Sequence, residues 1–163
     1  MPKSKEEKTN VMRILEERGI PYTPHEYAHG DGPVDGVTVA AAIGRSPDQV
    51  FKTLVTRGAK GGFYVFVIPV AASLDLKKAA KSAGEKSIEM IHVNEITPLT
   101  GYVRGGCSPV GMKKPFPTFF AEEIVLVDTV IVSAGKIGHQ IETSPDDLIS
   151  LVGGSVADLI VET

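Results

Sequence analysis

The run Val50–Val55, Val-Phe-Lys-Thr-Leu-Val, constrains the fold more than any other stretch of the chain. It is apolar on both sides of one cation. A strand sends successive side chains to opposite faces, so Val50, Lys52 and Leu54 share one face and Phe51, Thr53 and Val55 the other. The glycine-rich stretch Thr56–Gly62 follows, then a second apolar run, Phe63–Pro69. Two such runs around a glycine-rich break predict a hairpin. Lys52 is then held among apolar neighbours, and a buried ammonium is costly unless something pairs with it. Two readings are open. Lys52 is an edge-strand lysine whose stem lies on the surface while its head reaches water, or it faces a ligand that carries a carbonyl, a carboxylate or a phosphate.

Composition narrows the class. At 163 residues the chain is expected to be one domain, 1–163, with a real core. It is 42% hydrophobic and 23% charged, the balance of an ordinary globular protein. No apolar run approaches the length of a membrane-spanning helix, and the charged N-terminus lacks the apolar stretch of a secretory signal. The single cysteine, Cys107, leaves no internal disulfide and suits a reducing cytoplasm, which is the expected location. A net charge of −3 sets up no global attraction to nucleic acid, and no DNA or membrane partner is expected. Local basic clusters remain at Lys77, Lys78, Lys81 and Lys86, and at Lys113 and Lys114.

Periodicity and punctuation supply the other elements. Residues 5–18 read as a helix stopped by Gly19, and Tyr22–Ala28 as extended. Residues 29–37 form a loop, and Thr38 caps a short helix, Val39–Ile43. Ser73 caps a helix to about Ala83, with Leu74, Leu76, Ala79 and Ala80 facing inward. Ser87–Ile91 is a short strand and residues 94–99 a helical turn. Thr118–Ala121, Ile124–Val127, Thr129–Ser133 and Gln140–Thr143 read as strands. Pro145 begins a helix after Ser144 that ends at Gly153–Gly154, and Val156–Val161 is a last strand or turn. Strands interleaved with short helices, then a run of strands, make an α+β domain with a mixed, mostly antiparallel sheet.

Several motifs fail. Gly106–Gly111 with Lys113 is not a phosphate-binding P-loop, because Met112 stands where that motif needs its lysine. Ser108 is no nucleophile elbow, since Val110 replaces the required glycine. Cys107 has no activating histidine beside it. His25, His29, His92 and His139 lack the spacing and partners of a metal site, so no metal or other cofactor is expected. What survives is Gly101–Gly111, whose paired glycines Gly105 and Gly106 let a ligand approach main-chain N–H groups, and a second small-residue loop, Ser133–Gly138. Two such loops and one apolar-flanked lysine suggest a pocket.

The combination Phe51-Lys52-Thr53-Leu54-Val55, Leu74–Lys81, Thr100-Gly101-Tyr102, Gly105–Gly111 and Gly135–Gly138 resembles the YbaK/EbsC family of free-standing aminoacyl-tRNA editing proteins, related to the editing insertion of prolyl-tRNA synthetase. The resemblance covers nearly the whole chain. It implies a barrel-like sheet with surrounding helices, and removal of a wrong amino acid, typically cysteine from the proline tRNA, with prolyl-tRNA synthetase as a partner. It assigns the essential lysine to Lys52, the loop that holds the tRNA terminus to Gly105 and Gly106, and a pocket tyrosine to Tyr27. Thr53, Ser108, Gly111, Gly135 and Gln140 complete the implied substrate site. The family supplies no nucleophile of its own; the substrate thiol attacks its own ester. Thr53 favours a cysteine-type pocket over an alanine-type one. A neutral Gln140 stands where some members carry an acid, which leaves alanine or serine as alternative substrates and a non-catalytic tRNA- or synthetase-binding module as another reading.

Overall fold

The computed structural model describes residues 8–162. The expected hairpin is there, and it is longer than its hydrophobic runs. In chain order the elements begin α1 (Asn10–Glu17), β1 (Thr23–Glu26), α2 (Gly36–Ala42), β2 (Phe51–Gly58) and β3 (Phe63–Pro69). They continue with α3 (Leu76–Ala83), β4 (Ile88–Met90), α4 (Ile96–Thr100), β5 (Thr118–Ala121), β6 (Val130–Ser133), β7 (His139–Thr143), α5 (Pro145–Val152) and β8 (Ser155–Ala157). Thr56 and Arg57 belong to β2 and not to the turn, because Thr56 pairs with Tyr64 and Met90, and Arg57 with Phe63 and Glu89. Only Ala59–Gly62 turns the chain.

Helix ends match the glycines and depart from the expected caps. Thr9 caps α1, its hydroxyl accepting from the Met12 N–H at 3.2 Å. The expected start at residue 5 lies outside the described residues. Asp35, not Thr38, caps α2: its carboxylate accepts both the N–H and the hydroxyl of Thr38. Asp75, not Ser73, caps α3 by accepting from the N–H groups of Lys77 and Lys78. In both places a charged acceptor takes the orphan donors that a neutral hydroxyl would take less strongly. The shift puts Leu74 outside α3 and leaves Leu76 41% exposed, so Ala79 and Ala80 alone form the buried face. Ile124–Val127 is not a strand. Glu122–Leu126 is a 3-10 turn that buries Ile124 and exposes Val125 and Leu126.

The domain is α+β, and its strands form two sheets that do not close into a barrel. One has the order β1-β7-β6 and the other β4-β2-β3-β5-β8. The ladders β1–β7, β6–β7, β2–β3 and β2–β4 are antiparallel, while β3–β5 and β5–β8 are parallel. Phe51, Phe66, Ile68, Phe120, Ile141 and Leu148 are fully buried in the main core. A parallel bridge between Val50 and Ile131 joins the sheets, with the Ile131 N–H donating to the Gln49 carbonyl at 3.0 Å. Val50 and Ile131 pack there with Ala40 and Val70 in a small second core.

A buried carboxylate reinforces that junction. Glu142 on β7 takes hydrogen bonds from Thr129 (2.5 Å), Arg45 (2.9 Å) and Gln49 (3.2 Å), and pairs with His25 at 2.8 Å. Burial pulls this carboxyl up; the Thr129 and His25 hydrogen bonds and the Arg45 charge outweigh it and leave the group below its ordinary value of 4.5. A carboxyl lowered by folding stabilises the fold above the unfolded value and loses that contribution as the pH falls through the folded value. Urea titrations are therefore expected to show stability falling below about pH 4.5, with a shallower fall in Glu142→Gln. Glu142→Ala is expected to lose about 3 kcal/mol at pH 7, because Arg45 and Gln49 are left without their acceptor.

Candidate active site

The edge of β2 that faces away from β3 is shared between two neighbours. Val70 donates to the Val50 carbonyl and Gly58 to the Gly62 carbonyl, so even-numbered residues of β2 bond to β3. By the alternation of an antiparallel ladder, the main-chain groups of Phe51, Thr53 and Val55 point the other way. β6 meets that edge at Val50. Ile91, just past β4, meets it at Val55, where its N–H donates to the Val55 carbonyl at 3.4 Å. Between the two contacts the edge is open, and a cavity of about 370 Å³ lies against it.

Lys52, Thr53 and Leu54 form one wall of this cavity. Tyr27, Ser133 and Gln140 come from the β1-β7-β6 sheet and its approaches, and Met90, Ile91, Val93 and Ile96 from β4 and the turn after it. Val39 of α2 and the Arg104–Gly105–Cys107 loop complete it. Lys52 is half-buried, and among the described residues no ion pair involves it. Burial holds its ammonium below the ordinary lysine value of 10.5. Thr53 Oγ1 and Gln140 Oε1 are buried and have no hydrogen-bond partner in the protein.

The glycine loop is shaped by close contacts. Gly105 has φ of +88°, and a Cβ there would come within 2.6 Å of Pro33 Cβ, so only glycine fits. A Cβ on Gly106 would approach the Ile137 nitrogen to 3.1 Å. The turn is thus wedged between the loop before α2 and the loop after β6.

Of the residues expected at the site, Lys52, Tyr27, Thr53, Gly105 and Gln140 line the cavity. Gly106, Ser108, Gly111 and Gly135 lie behind its surface. Ser108 is fully buried, its hydroxyl accepting from the Val110 N–H at 3.2 Å. Gly111 packs against Ile14 and Tyr102, and Gly135 lies under Tyr102 and donates to Ser133 Oγ at 3.1 Å. These positions shape the two loops from within. The apolar wall of Met90, Val93 and Ile96 carries no local signal in the sequence, because long-range pairing of β4 with β2 brings it to the site.

The cavity holds an ammonium, hydroxyls and unsatisfied acceptors, and neither a histidine nor a carboxylate lines it. Cys107 does line it, but burial pushes its thiol up to about 12 against a weaker opposing hydrogen bond from Thr100. It is a neutral thiol at physiological pH. Among the described residues no group of three or more His, Cys, Asp or Glu side chains is placed to hold a metal ion. This arrangement binds and orients a substrate; it offers no activated protein nucleophile.

Comparison with known proteins gives the site a context. Residues 34–151 match the aminoacyl-tRNA editing domain family. The chain is 46% identical over 157 residues, 96% of each chain, to EbsC of Enterococcus faecalis, named as a candidate Cys-tRNA(Pro)/Cys-tRNA(Cys) deacylase. It is 28% identical to the uncharacterised YwhH of Bacillus subtilis over 67% of this chain and 69% of that one. A crystal structure described as a candidate trans-editing enzyme for prolyl-tRNA synthetase superposes with a TM-score of 0.80 at 29% identity, covering 93% of this chain and 95% of that one.

The raised thiol of Cys107 has a direct readout. At pH 8 the native protein is expected to react with iodoacetamide at least tenfold more slowly than the urea-unfolded chain, because the thiolate is the reacting form.

Proposed function

The chain belongs to the aminoacyl-tRNA editing domain family, and we propose that it is a trans-editing deacylase that clears cysteine mischarged onto the proline tRNA. The identity to EbsC over nearly the whole of both chains supports the substrate class. The observation that carries the site assignment is Lys52: a half-buried ammonium without an ion-pair partner, in a cavity that offers no activated nucleophile.

In this reading the Lys52 ammonium receives the ester carbonyl and favours the negative charge that develops on its oxygen. The substrate's own thiol attacks the carbonyl carbon. A C–S bond forms, the ester C–O bond breaks, and the thiol proton passes to the departing ribose oxygen. The protein contributes alignment, which holds sulfur and carbonyl in reacting geometry. Gly105 brings main-chain groups close to the tRNA terminus, and Gly106 fixes that turn against Ile137. Ser108, Gly111 and Gly135 hold the two loops in shape, while Tyr27, Thr53 and Gln140 bound the amino acid.

Gln140 favours a second substrate as well. Its carboxamide oxygen and Thr53 Oγ1 are buried acceptors without partners, and a hydroxyl-bearing or small amino acid such as serine or alanine fits the same enclosure. Delivery by prolyl-tRNA synthetase agrees with a net charge of −3, which gives the protein little general affinity for tRNA. Among the described residues no helix is long and apolar enough to cross a membrane, and the proposed place of action is the cytoplasm, where tRNA is charged.

Lys52→Ala is expected to abolish deacylation of Cys-tRNA(Pro), measured beside Ala-tRNA(Pro), and to keep the native circular-dichroism spectrum. A Lys52→Ala protein with wild-type turnover refutes the assignment. Because burial lowers the folded-state value of Lys52, its charge opposes folding at every pH below that value, and the cost is relieved as the pH rises through it. Lys52→Met is therefore expected to raise the urea midpoint at pH 7 while removing activity. In the wild type, the enzymatic rate above background ester hydrolysis should fall on the alkaline side before pH 10.5, as the ammonium loses its proton.

A further inference from the structure

The two ends of the cavity differ in chemistry, and the difference sets a direction. From the β6 contact at Val50 to the Ile91 contact at Val55, the open edge of β2 runs about 16 Å, at about 3.3 Å per residue. Ser133 and Gln140 stand at the Val50 end, which holds the orphaned Gln140 acceptor. Met90 and Val93 stand at the Val55 end, 43% and 57% exposed although they line the cavity. Arg104 is exposed at the mouth, and no ion pair among the described residues engages it. Lys52 lies between the two ends.

An aminoacyl-tRNA terminus has the same asymmetry. On one side of its ester is an amino acid whose ammonium needs acceptors. On the other is a nucleoside with a flat base and a 5′-phosphate. We propose that the terminal nucleoside lies toward β4, its base against Met90 and Val93 and its 5′-phosphate at Arg104, while the amino acid points to Gln140. This rests on the deacylase reading above. Apolar side chains left in water at the edge of a binding cavity gain by covering a base face, and such contact does not depend on hydrogen-bonding the base. A guanidinium at the mouth suits a phosphate in the chain that must leave there.

The test uses hydrolysis-resistant probes and binding measured by NMR titration. The probes are 3′-cysteinylamino-3′-deoxyadenosine, its 5′-monophosphate, and the same amide on a ribose without the base. The wild type is expected to bind the adenosine probe about tenfold more tightly than the abasic one. In the double variant Met90→Ser/Val93→Ser that preference should vanish; because both side chains are substantially exposed, the fold should survive, which the spectra themselves report. The phosphate should tighten binding to the wild type and not to Arg104→Ala. A wild type without base preference, or a preference that persists in the double variant, overturns the orientation. A phosphate gain that survives in Arg104→Ala, or no gain in the wild type, overturns the role of Arg104. Probe binding with the expected pattern but no turnover of Cys-tRNA(Pro) or Ala-tRNA(Pro) sinks the deacylase reading and leaves the orientation standing. A wild type that binds none of the probes overturns both.

Discussion

Glu142 collects Thr129, Arg45, Gln49 and His25 from segments far apart in the chain, and the spacing of the two sheets depends on that convergence. Gln49 matters most. Its side chain reaches Glu142, its carbonyl receives Ile131, and the next residue, Val50, makes the bridge between the sheets. β2 therefore leaves this anchor in a set direction. Further on, Arg57 ion-pairs with Glu95 and lies over the Phe63 ring, while Glu95 also accepts the His92 N–H. Those contacts hold the turn that carries Val93. The open edge is thus held apart at both ends by charged groups, and the apolar core behind it need not deform to make room.

The cost of Lys52 is carried by the same construction. An ammonium drawn partly out of water beside an apolar strand opposes folding. The core of Phe51, Phe66 and Ile68 directly behind β2 is dense enough to bear it. Strain of this kind belongs at functional sites, where stability and activity ask for different side chains.

Local features were legible in the sequence wherever one residue decides the local conformation. Gly19, Gly44, Gly84 and Gly153 end helices as expected, and the hairpin follows from two apolar runs around glycines. The caps of α2 and α3 were misread because two candidates stood close together, and the carboxylates of Asp35 and Asp75 outcompeted the hydroxyls of Thr38 and Ser73. Lys52 drew attention because a cation breaks an apolar run. The gap between β6 and β4 was not legible, since it is created by which strand neighbours β2 at each end. Arg104 sat within the recognised glycine loop, but its place at the mouth depends on Gly105 packing against Pro33. The expected barrel failed for a related reason: the two sheets meet only at Val50 and Ile131.

An open strand edge has a consequence beyond catalysis. Free main-chain donors and acceptors on a strand are a template for another polypeptide, and exposed edges invite chains to pair with each other. Here the open interval lies at the bottom of a cavity whose walls come from both sheets and the glycine loop, too confined for a second strand to lie alongside. Lys52 adds a charge on the same segment, the residue type that guards natural edges against aggregation. The feature that admits a substrate therefore also keeps the protein from recruiting copies of itself.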